Sequence, residues 1–217
     1  METPAFLAPI LQTAVDGAPR ATPADATTDR ILGAALAQFE NFGIRRTTMD
    51  DVARRARVSR VTIYRRFPQK ERLVEAVILG EAQRFFAELE AAVVRLDSVE
   101  DRIVEGFAHT LAAAREQRLL NRLLRTEPES LLPHLTTEGG PLLAAGTAFL
   151  ARQMKIARSG VPAEDTRAVA ELVARLVLSF LLTPESVVAL GSPREARAFA
   201  RRWIAPLMTG GAPLPAG

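Results

Sequence analysis

Residues 47–77 read TTMDDVARRARVSRVTIYRRFPQKERLVEAV, and this segment predicts three consecutive helices. Thr48 is a good N-cap for the first of them, with Asp51 in the position of a capping-box acid. Ser59 caps a second, very short helix. Lys70 then opens a long helix with an amphipathic pattern. The segment therefore predicts two short helices that are joined by a tight turn and followed by a long one.

A further amphipathic helix is predicted upstream of this segment. Its apolar residues recur at helical spacing and are Ile31, Leu32, Ala35, Leu36 and Phe39. Thr27 or Thr28 is the expected N-cap, and Gly43 is the expected C-cap. The three short helices that result form a unit too small to be a domain alone.

The rest of the chain also shows helical periodicity. The predicted segments cover residues 70–96, 99–116, 118–125, 141–158, 163–182 and 193–208. The junctions between them carry helix breakers such as Pro128, Pro133 and Gly191. We find no alternating strand of convincing length and no internal repeat. The predicted fold class is therefore all-α.

The composition argues against several classes of protein and of site. Of the 217 residues, 48% are hydrophobic and 24% are charged, which argues against wholesale disorder, and 37 are alanine, which favours helices. The absence of cysteine removes disulfides, thiol nucleophiles and zinc–thiolate sites. His109 and His134 lie too far apart for a local metal motif, and the sequence has no Gly-rich phosphate loop or nucleophile elbow. We expect no cofactor, no metal and no enzymatic activity.

Positive charge is concentrated in one part of the chain. Between Ile44 and Arg72, ten basic residues stand against three acidic ones, a local charge of +7, whereas the rest of the chain carries −4. A cationic three-helix head on an anionic helical body is the electrostatic footprint of phosphate binding. An Arg-rich solvated surface is the alternative explanation, because 26 of the 28 basic residues are arginine.

The short helix after Ser59 has a core face and an outward face. Ile63 and Phe67 are spaced i, i+4 and are expected to face the core. The outward residues are Arg60, Val61, Thr62, Tyr64 and Arg65. Arginine can bridge O6 and N7 of guanine, the methyl groups of Val and Thr can touch a thymine methyl, and Tyr can reach a phosphate. Lys70 begins the long helix, where it can meet another phosphate.

These spaced residues resemble the DNA-binding motif of the tetracycline-repressor (TetR) family of transcriptional regulators. The motif is Val-Ser-x-x-Thr-Ile-Tyr-x-x-Phe-x-x-Lys, formed here by Val58, Ser59, Thr62, Ile63, Tyr64, Phe67 and Lys70. The resemblance implies a helix-turn-helix head in which the residues matching Tyr64 and Lys70 contact the DNA backbone. The predicted DNA-binding residues are Arg46, Thr48, Ser59, Arg60, Val61, Thr62, Tyr64, Arg65 and Lys70.

Three positions depart from the commoner pattern of that family. Arg57 stands at the turn position where glycine is frequent, and a left-handed backbone there would cost about 1–2 kcal/mol for any other residue. Val61 replaces a frequent glycine, and Arg66 replaces a frequent histidine. The last two changes bear on which operator sequence is read, and not on DNA binding as such.

The helical body has apolar residues on more than one face of its last long helices. Such helices have a partner besides the core of their own subunit, and a purely internal helix is the alternative. The resemblance implies dimerisation through these helices and a ligand pocket among the middle ones. The predicted dimer-interface residues are Leu172, Leu176, Phe180, Phe199, Trp203 and Leu207.

The predicted effector pocket would take an apolar or amphipathic small molecule. Its candidate residues are Phe85, Phe86, Phe107, His109, Leu111, Leu123, Phe149 and Met154. Ordinary core packing is the alternative for each apolar residue, and a hydrogen-bonded structural role is the alternative for His109.

These observations predict four regions: a flexible N-terminal arm (1–27), a helix-turn-helix DNA-binding domain (28–70), a helical effector-binding and dimerisation domain (71–210) and a flexible tail (211–217). The predicted function is that of a ligand-responsive repressor, which binds a palindromic operator in double-stranded DNA as a homodimer. A DNA-binding regulator without a small-molecule effector and a helical-bundle enzyme are the alternatives. No signal peptide or membrane span is apparent, so we expect a cytoplasmic protein.

Overall fold

The computed structural model describes residues 26–210, and all regular structure within that range is helical. The all-α prediction is therefore confirmed for these residues. The helices are α1 (Ala26–Phe42), α2 (Met49–Ala56), α3 (Arg60–Arg66), α4 (Lys70–Val93), α5 (Val99–Glu116), α6 (Arg118–Thr126), α7 (Pro128–Leu135), α8 (Gly140–Ile156), α9 (Ala163–Leu182), α10 (Pro193–Phe199) and α11 (Ala205–Thr209). A π-helical turn, Ala200–Ile204, joins α10 to α11.

The predicted start of one helix is wrong, and another helix was missed. Helix α1 begins at Ala26, so Thr27 and Thr28 lie inside it and neither is its N-cap. The predicted N-terminal arm thus loses its last two residues to α1, while its other residues, like the predicted tail 211–217, lie outside the described part of the chain. Helix α7 was missed because Pro128 and Pro133 suggested a break, although proline is compatible with the first position of a helix.

The first of two compact units contains the three short helices at the N-terminal end. It extends to Arg84 and also includes residues 117–138. Its core includes Ile31, Phe39, Ile63 and Leu73, together with Leu119 of α6. Helices α6 and α7 therefore belong to the same compact unit as the head. The predicted domain boundary at residue 70 separated α6 and α7 from the head. The structure groups them with the head, because α6 contributes apolar side chains to its core.

The second compact unit contains residues 85–116 and 139–210 of the described chain. Helix α5 packs against α10, the π-helical turn and α11, and α9 packs against α8. Leu111, Met154, Val173, Ile204 and Met208 are among the most deeply buried residues of its core. Helix α4 contributes its first part to one unit and its last part to the other.

Candidate nucleic-acid interface

Helix α3 presents one face to the core and another to solvent. The Ser59 hydroxyl accepts a hydrogen bond from the Thr62 N–H at 3.1 Å and so caps the helix, as predicted. Ile63 is fully buried, and Phe67 is also buried. Loss of a side chain like that of Ile63 typically costs about 2–5 kcal/mol, so this face fixes the orientation of the helix.

The outward face of α3 carries residues that can read the edges of bases. Arg60, Val61, Tyr64 and Arg65 are exposed, and Thr62 is half-buried. Val61 is 76% exposed although it is apolar, so its side chain has no packing role within the subunit. The structure therefore brings the five outward residues together on one solvent-facing surface, as a major-groove helix requires.

The turn before α3 contains a left-handed residue, Arg57, at the position where the family pattern frequently has glycine. Arg57 has φ 53° and ψ 46°, and its N–H bonds the carbonyls of Ala53 and Arg54 at the end of α2. A left-handed conformation of a non-glycine residue costs about 1–2 kcal/mol. Two bonds to the last carbonyls of α2 and the buried core of the head hold the residue in this conformation.

A reciprocal capping box begins α2. The Thr48 hydroxyl oxygen accepts a bond from the Asp51 N–H at 3.1 Å, and Asp51 Oδ2 accepts a bond from the Thr48 N–H at 3.1 Å. The hydroxyl of Thr48 also donates to Asp51, and these bonds lower the pKa of the Asp51 carboxyl, with a further contribution from Arg54. The Thr48 hydroxyl thus uses its donor and one acceptor site for bonds with Asp51. The predicted contact of Thr48 with DNA stays a prediction.

Arg60 is oriented by two neighbours. It forms an ion pair with Asp50, with 3.0 Å between Nε and Oδ1, and its guanidinium lies 5.9 Å from the centre of the Tyr64 ring. A carboxylate on α2 and an aromatic ring one turn further along α3 thus restrain the guanidinium. Such restraint reduces the conformational entropy that an arginine loses on contacting a base.

Lys70 lies at the start of α4 and is half-buried. Its ammonium donates to the backbone carbonyl of Arg45 at 3.3 Å. An ammonium has three donors, so this bond leaves two for a phosphate. Arg46, in the loop between α1 and α2, is exposed. The contacts of both side chains with phosphates stay a prediction.

The predicted effector-pocket residues do not form one group. Leu123 is part of the core of the first compact unit, whereas Phe107, Leu111 and Met154 are buried in the core of the second. In the second unit, the Phe86 ring contacts Phe85 edge-to-face and Phe149 at a tilt, at centroid distances of 5.2 and 5.8 Å. The Nε2 atom of His109 is buried without a hydrogen-bond partner, so the expected hydrogen-bonded role is not fulfilled at that atom.

The predicted dimer-interface residues divide into two groups. Leu172 and Leu176 of α9, and Trp203 and Leu207 at the C-terminal end, are exposed apolar side chains. Phe180 and Phe199 are half-buried instead, in a three-ring cluster with Phe107 at centroid distances of 5.4 to 6.3 Å. The first group is thus available to a partner, and the second also packs against the subunit's own core.

Several residues that shape this interface were missed by sequence reasoning. Glu127 is a buried carboxylate that accepts a bond from the Arg45 N–H, and Glu129 pairs with the Arg45 guanidinium at 2.8 Å. The sequence indicated Asp50 only as one of the three acidic residues between Ile44 and Arg72. The contacts of Glu127 join residues more than eighty positions apart in sequence, and no local pattern indicates them.

Neither a metal site nor a membrane-spanning helix is indicated by the described part of residues 26–210. Among the side chains that the structure describes in that range, no cluster of His, Asp and Glu could hold a metal ion. No helix in the same range is long and apolar enough to cross a membrane.

Two sequence families match the chain. Residues 31–77 match the family described as bacterial regulatory proteins, tetR family, and residues 99–201 match the C-terminal domain of the bacterial tetracycline repressor. The first match spans α1 to α3 and the start of α4, and the second begins with α5. Both compact units thus contain residues that match the same group of regulators.

Individual relatives agree with these matches. The chain is 26% identical over 187 residues to the HTH-type transcriptional regulator AlkX of Mycobacterium tuberculosis, covering 85% of this chain and 87% of that one. An uncharacterized HTH-type transcriptional regulator of Mycobacterium bovis is 33% identical over 84 residues, or 36% of this chain and 44% of its own length.

Solved structures show the same fold. The crystal structure of the TetR family repressor AlkX from Dietzia sp. strain DQ12-45-1b has a TM-score of 0.62 at 26% identity, covering 85% of this chain and 98% of that one. A tetR family regulatory protein from Rhodococcus RHA1 shares the fold at 21% identity, with a TM-score of 0.54 and coverage of 87% and 100%. These matches are transcriptional regulators rather than enzymes. The chain belongs to the TetR family of DNA-binding transcriptional regulators.

Proposed function

We propose that this regulator is a ligand-responsive repressor that binds a palindromic operator as a homodimer. The observation that carries the proposal is the outward face of α3, where Arg60, Val61, Tyr64 and Arg65 are exposed within the most cationic part of the chain. Arginines on such a face can each make a bidentate contact with guanine, worth about 1–3 kcal/mol of discrimination against a wrong base. One short helix reads only a few base pairs, so a second copy extends the site.

The exposed apolar residues of the second compact unit support the homodimer. Leu172 is 59% exposed and lies one helical turn from Leu176, which is also exposed. Trp203 and Leu207, near the C-terminus, are also exposed apolar residues four positions apart. Helix α9 packs against α11. Exposed apolar side chains at i, i+4 spacing on neighbouring helices fit a helix-on-helix interface. A second copy of the chain is the partner that we propose for this surface.

An apolar effector is the ligand that we propose. The second compact unit contains two aromatic clusters, Phe85–Phe86–Phe149 and Phe107–Phe180–Phe199. Aromatic and aliphatic walls with few polar groups suit a ligand with a large apolar body. The AlkX repressor of Dietzia is described as implicated in the biodegradation of n-alkanes, which agrees with an apolar ligand for this chain.

The proposal is tested with the DNA upstream of the protein's own gene. Fluorescence anisotropy would compare this duplex with a base-scrambled duplex at one salt concentration, because affinity for DNA depends steeply on salt. We expect a clear preference for the upstream duplex and its release by an alkyl or aryl compound that also raises the melting temperature. Equal affinity for the two duplexes contradicts sequence-specific binding. A preference that no compound changes supports a regulator without an effector.

A further inference from the structure

The loop between α1 and α2 is bound to a buried carboxylate of the junction between α6 and α7. Glu127 is only 5% exposed. Its Oε2 and Oε1 atoms accept the backbone N–H of Arg45 at 3.2 and 3.4 Å. All of these residues belong to the first compact unit. A carboxylate with little access to water must therefore find its hydrogen-bond donors within the protein, and this loop supplies one of them.

Gly43 makes the approach of Glu127 possible in two ways. Its φ is +84°, a conformation in which a side chain is strained, and its N–H caps α1 by bonding the Phe39 carbonyl at 2.9 Å. A Cβ atom at this position would stand 2.0 Å from Oε1 of Glu127. Glycine is therefore required both by the backbone of the turn and by the space that the carboxylate occupies.

The same loop is fixed at two further points. The Thr47 hydroxyl donates to the Gly43 carbonyl at 2.7 Å, and Thr47 is buried. The Lys70 ammonium donates to the Arg45 carbonyl at 3.3 Å. Residues 43–47 are thus held by α4 on one side and by the junction of α6 and α7 on the other. The loop contains Arg46, a predicted phosphate contact, and leads directly into the cap of α2.

A second carboxylate contacts this loop in a different environment. Glu129 pairs with the Arg45 guanidinium at 2.8 Å, but both side chains are largely exposed. Exposed ion pairs contribute little because water and salt screen them. Glu127, and not Glu129, therefore has the burial and the backbone contact that position the loop.

We infer that Glu127 is a positioning residue for DNA binding, which holds residues 43–47 so that Arg46 and Lys70 meet phosphates. The inference rests on the proposed function, because it concerns how the proposed DNA-binding face is held. The side chain of Glu127 does not itself contact DNA. Its effect is on phosphate contacts, so its loss weakens binding to every duplex alike and leaves base preference unchanged.

The test compares three variants of the full-length protein: Glu127→Leu, Glu127→Gln and, as a matched control, Glu129→Gln. Glu127→Leu keeps much of the volume and removes the acceptor, whereas Glu127→Gln keeps an acceptor oxygen for the Arg45 N–H. The measurements are the affinities for the upstream duplex and a scrambled duplex at several salt concentrations, with the melting temperature of each variant. Every titration is made well below the melting temperature, so that the protein is folded.

We expect Glu127→Leu to bind both duplexes roughly ten-fold more weakly, and its salt slope to fall by about 0.9 for each phosphate that the variant no longer binds. Glu127→Gln should keep most of the affinity, and Glu129→Gln should bind no more weakly than the wild type, because it removes only an exposed negative charge. The inference is overturned if the Glu127→Leu protein melts at a lower temperature but keeps the wild-type affinity and salt slope. The Glu127 side chain would then stabilise the fold without positioning the DNA-binding loop.

Gly43→Ala keeps the inference testable if Glu127→Leu does not fold. The added methyl group displaces the carboxylate from its place beside the loop, so we expect the same uniform loss of affinity and the same fall in salt slope. A folded Gly43→Ala protein with wild-type binding also overturns the inference. If the wild type itself binds no duplex, the proposed function fails instead, and the two failures are therefore distinguishable.

Discussion

Arg60 of α3 forms an ion pair with Asp50 of α2, with 3.0 Å between Nε and Oδ1. The contact joins a residue predicted to read a base to a carboxylate on the neighbouring helix of the motif. The Arg60 side chain is 70% exposed, so the ion pair orients the guanidinium without withdrawing it from solvent. Orientation before binding favours a particular base contact, whereas the negative charge of Asp50 opposes the approach of any phosphate.

Asp50→Asn should therefore weaken discrimination between sequences. The substitution removes a negative charge, so affinity for a scrambled duplex should rise by up to about five-fold, which corresponds to about 1 kcal/mol for an exposed charge. The upstream duplex should gain less, because Arg60 is no longer held in place. The measured quantity is the ratio of the two affinities, and it should fall. Asp97→Asn, an exposed residue outside the cationic segment, is the control and should leave the ratio unchanged.

Readout and anchoring should separate in a second set of variants. Lys70→Ala and Tyr64→Phe should weaken binding to all duplexes alike, and removal of a lysine–phosphate contact should reduce the salt slope by about 0.9. Arg60→Ala or Arg65→Ala should instead relax the preference at particular base pairs, at a cost of about 1–3 kcal/mol for a bidentate contact. The measurement is binding to duplexes with single base changes. Identical, sequence-independent losses in all four variants would contradict this division.

Leu172→Glu should convert the dimer into a monomer. The side chain lies on the exposed apolar face of α9, and a carboxylate buried against a second copy would lose its hydration. Sedimentation at micromolar concentration should then show a single subunit. Ile156→Glu is the matched control, since Ile156 is a similarly exposed apolar residue at the end of α8 and outside the proposed interface. A Leu172→Glu protein that sediments as a dimer argues against this face.

The ion pair between Glu105 and Arg197 should give a pH-dependent contribution to stability. Hydrogen bonds from the Arg197 guanidinium lower the pKa of the Glu105 carboxyl, and partial burial opposes the shift. Because the folded-state pKa is the lower one, the stabilisation is present above the ordinary glutamate pKa of about 4.3 and is lost as pH falls through the lowered value.

The corresponding variant is Glu105→Gln. Chemical denaturation should show a free energy of unfolding lower than that of the wild type by up to about 1 kcal/mol at pH 7. The difference should shrink towards zero as the pH falls through the lowered pKa of the Glu105 carboxyl, because the wild-type side chain then also gains its proton. A difference that stays constant as the pH falls would show that the ion pair contributes nothing through its charge.

The parts of the fold that sequence could predict are those set by local contacts. The caps at Thr48 and Ser59 were predictable because each bonds a backbone N–H three residues away. The buried and exposed faces of α3 follow from helical spacing alone. The left-handed conformation of Arg57 was left open by the sequence, because the resemblance showed only that glycine is frequent at this position.

The parts that sequence could not predict depend on contacts between distant residues. Glu127 meets Arg45 across eighty-two positions, and Leu123 joins the core of the head from α6. The local sequence around Glu127 resembles that of an ordinary helix surface, and the sequence around Leu123 resembles that of an ordinary core helix. Neither local pattern indicates the contact with a distant residue. Helix α7 was missed for a different reason, because its two prolines are tolerated within a short helix and were interpreted as a break.

The most direct test of DNA reading by a dimer is a change in half-site spacing. Affinity would be measured for the palindrome that we propose to lie upstream of the gene, and for a version in which the spacer is lengthened by about 5 base pairs, half a helical turn, at the same salt concentration. The insertion turns the half-sites to opposite faces of the duplex and keeps every contacted base. Binding by two α3 helices of one dimer predicts that the lengthened site falls to the affinity of scrambled DNA. Equal affinity for the two spacings would contradict it.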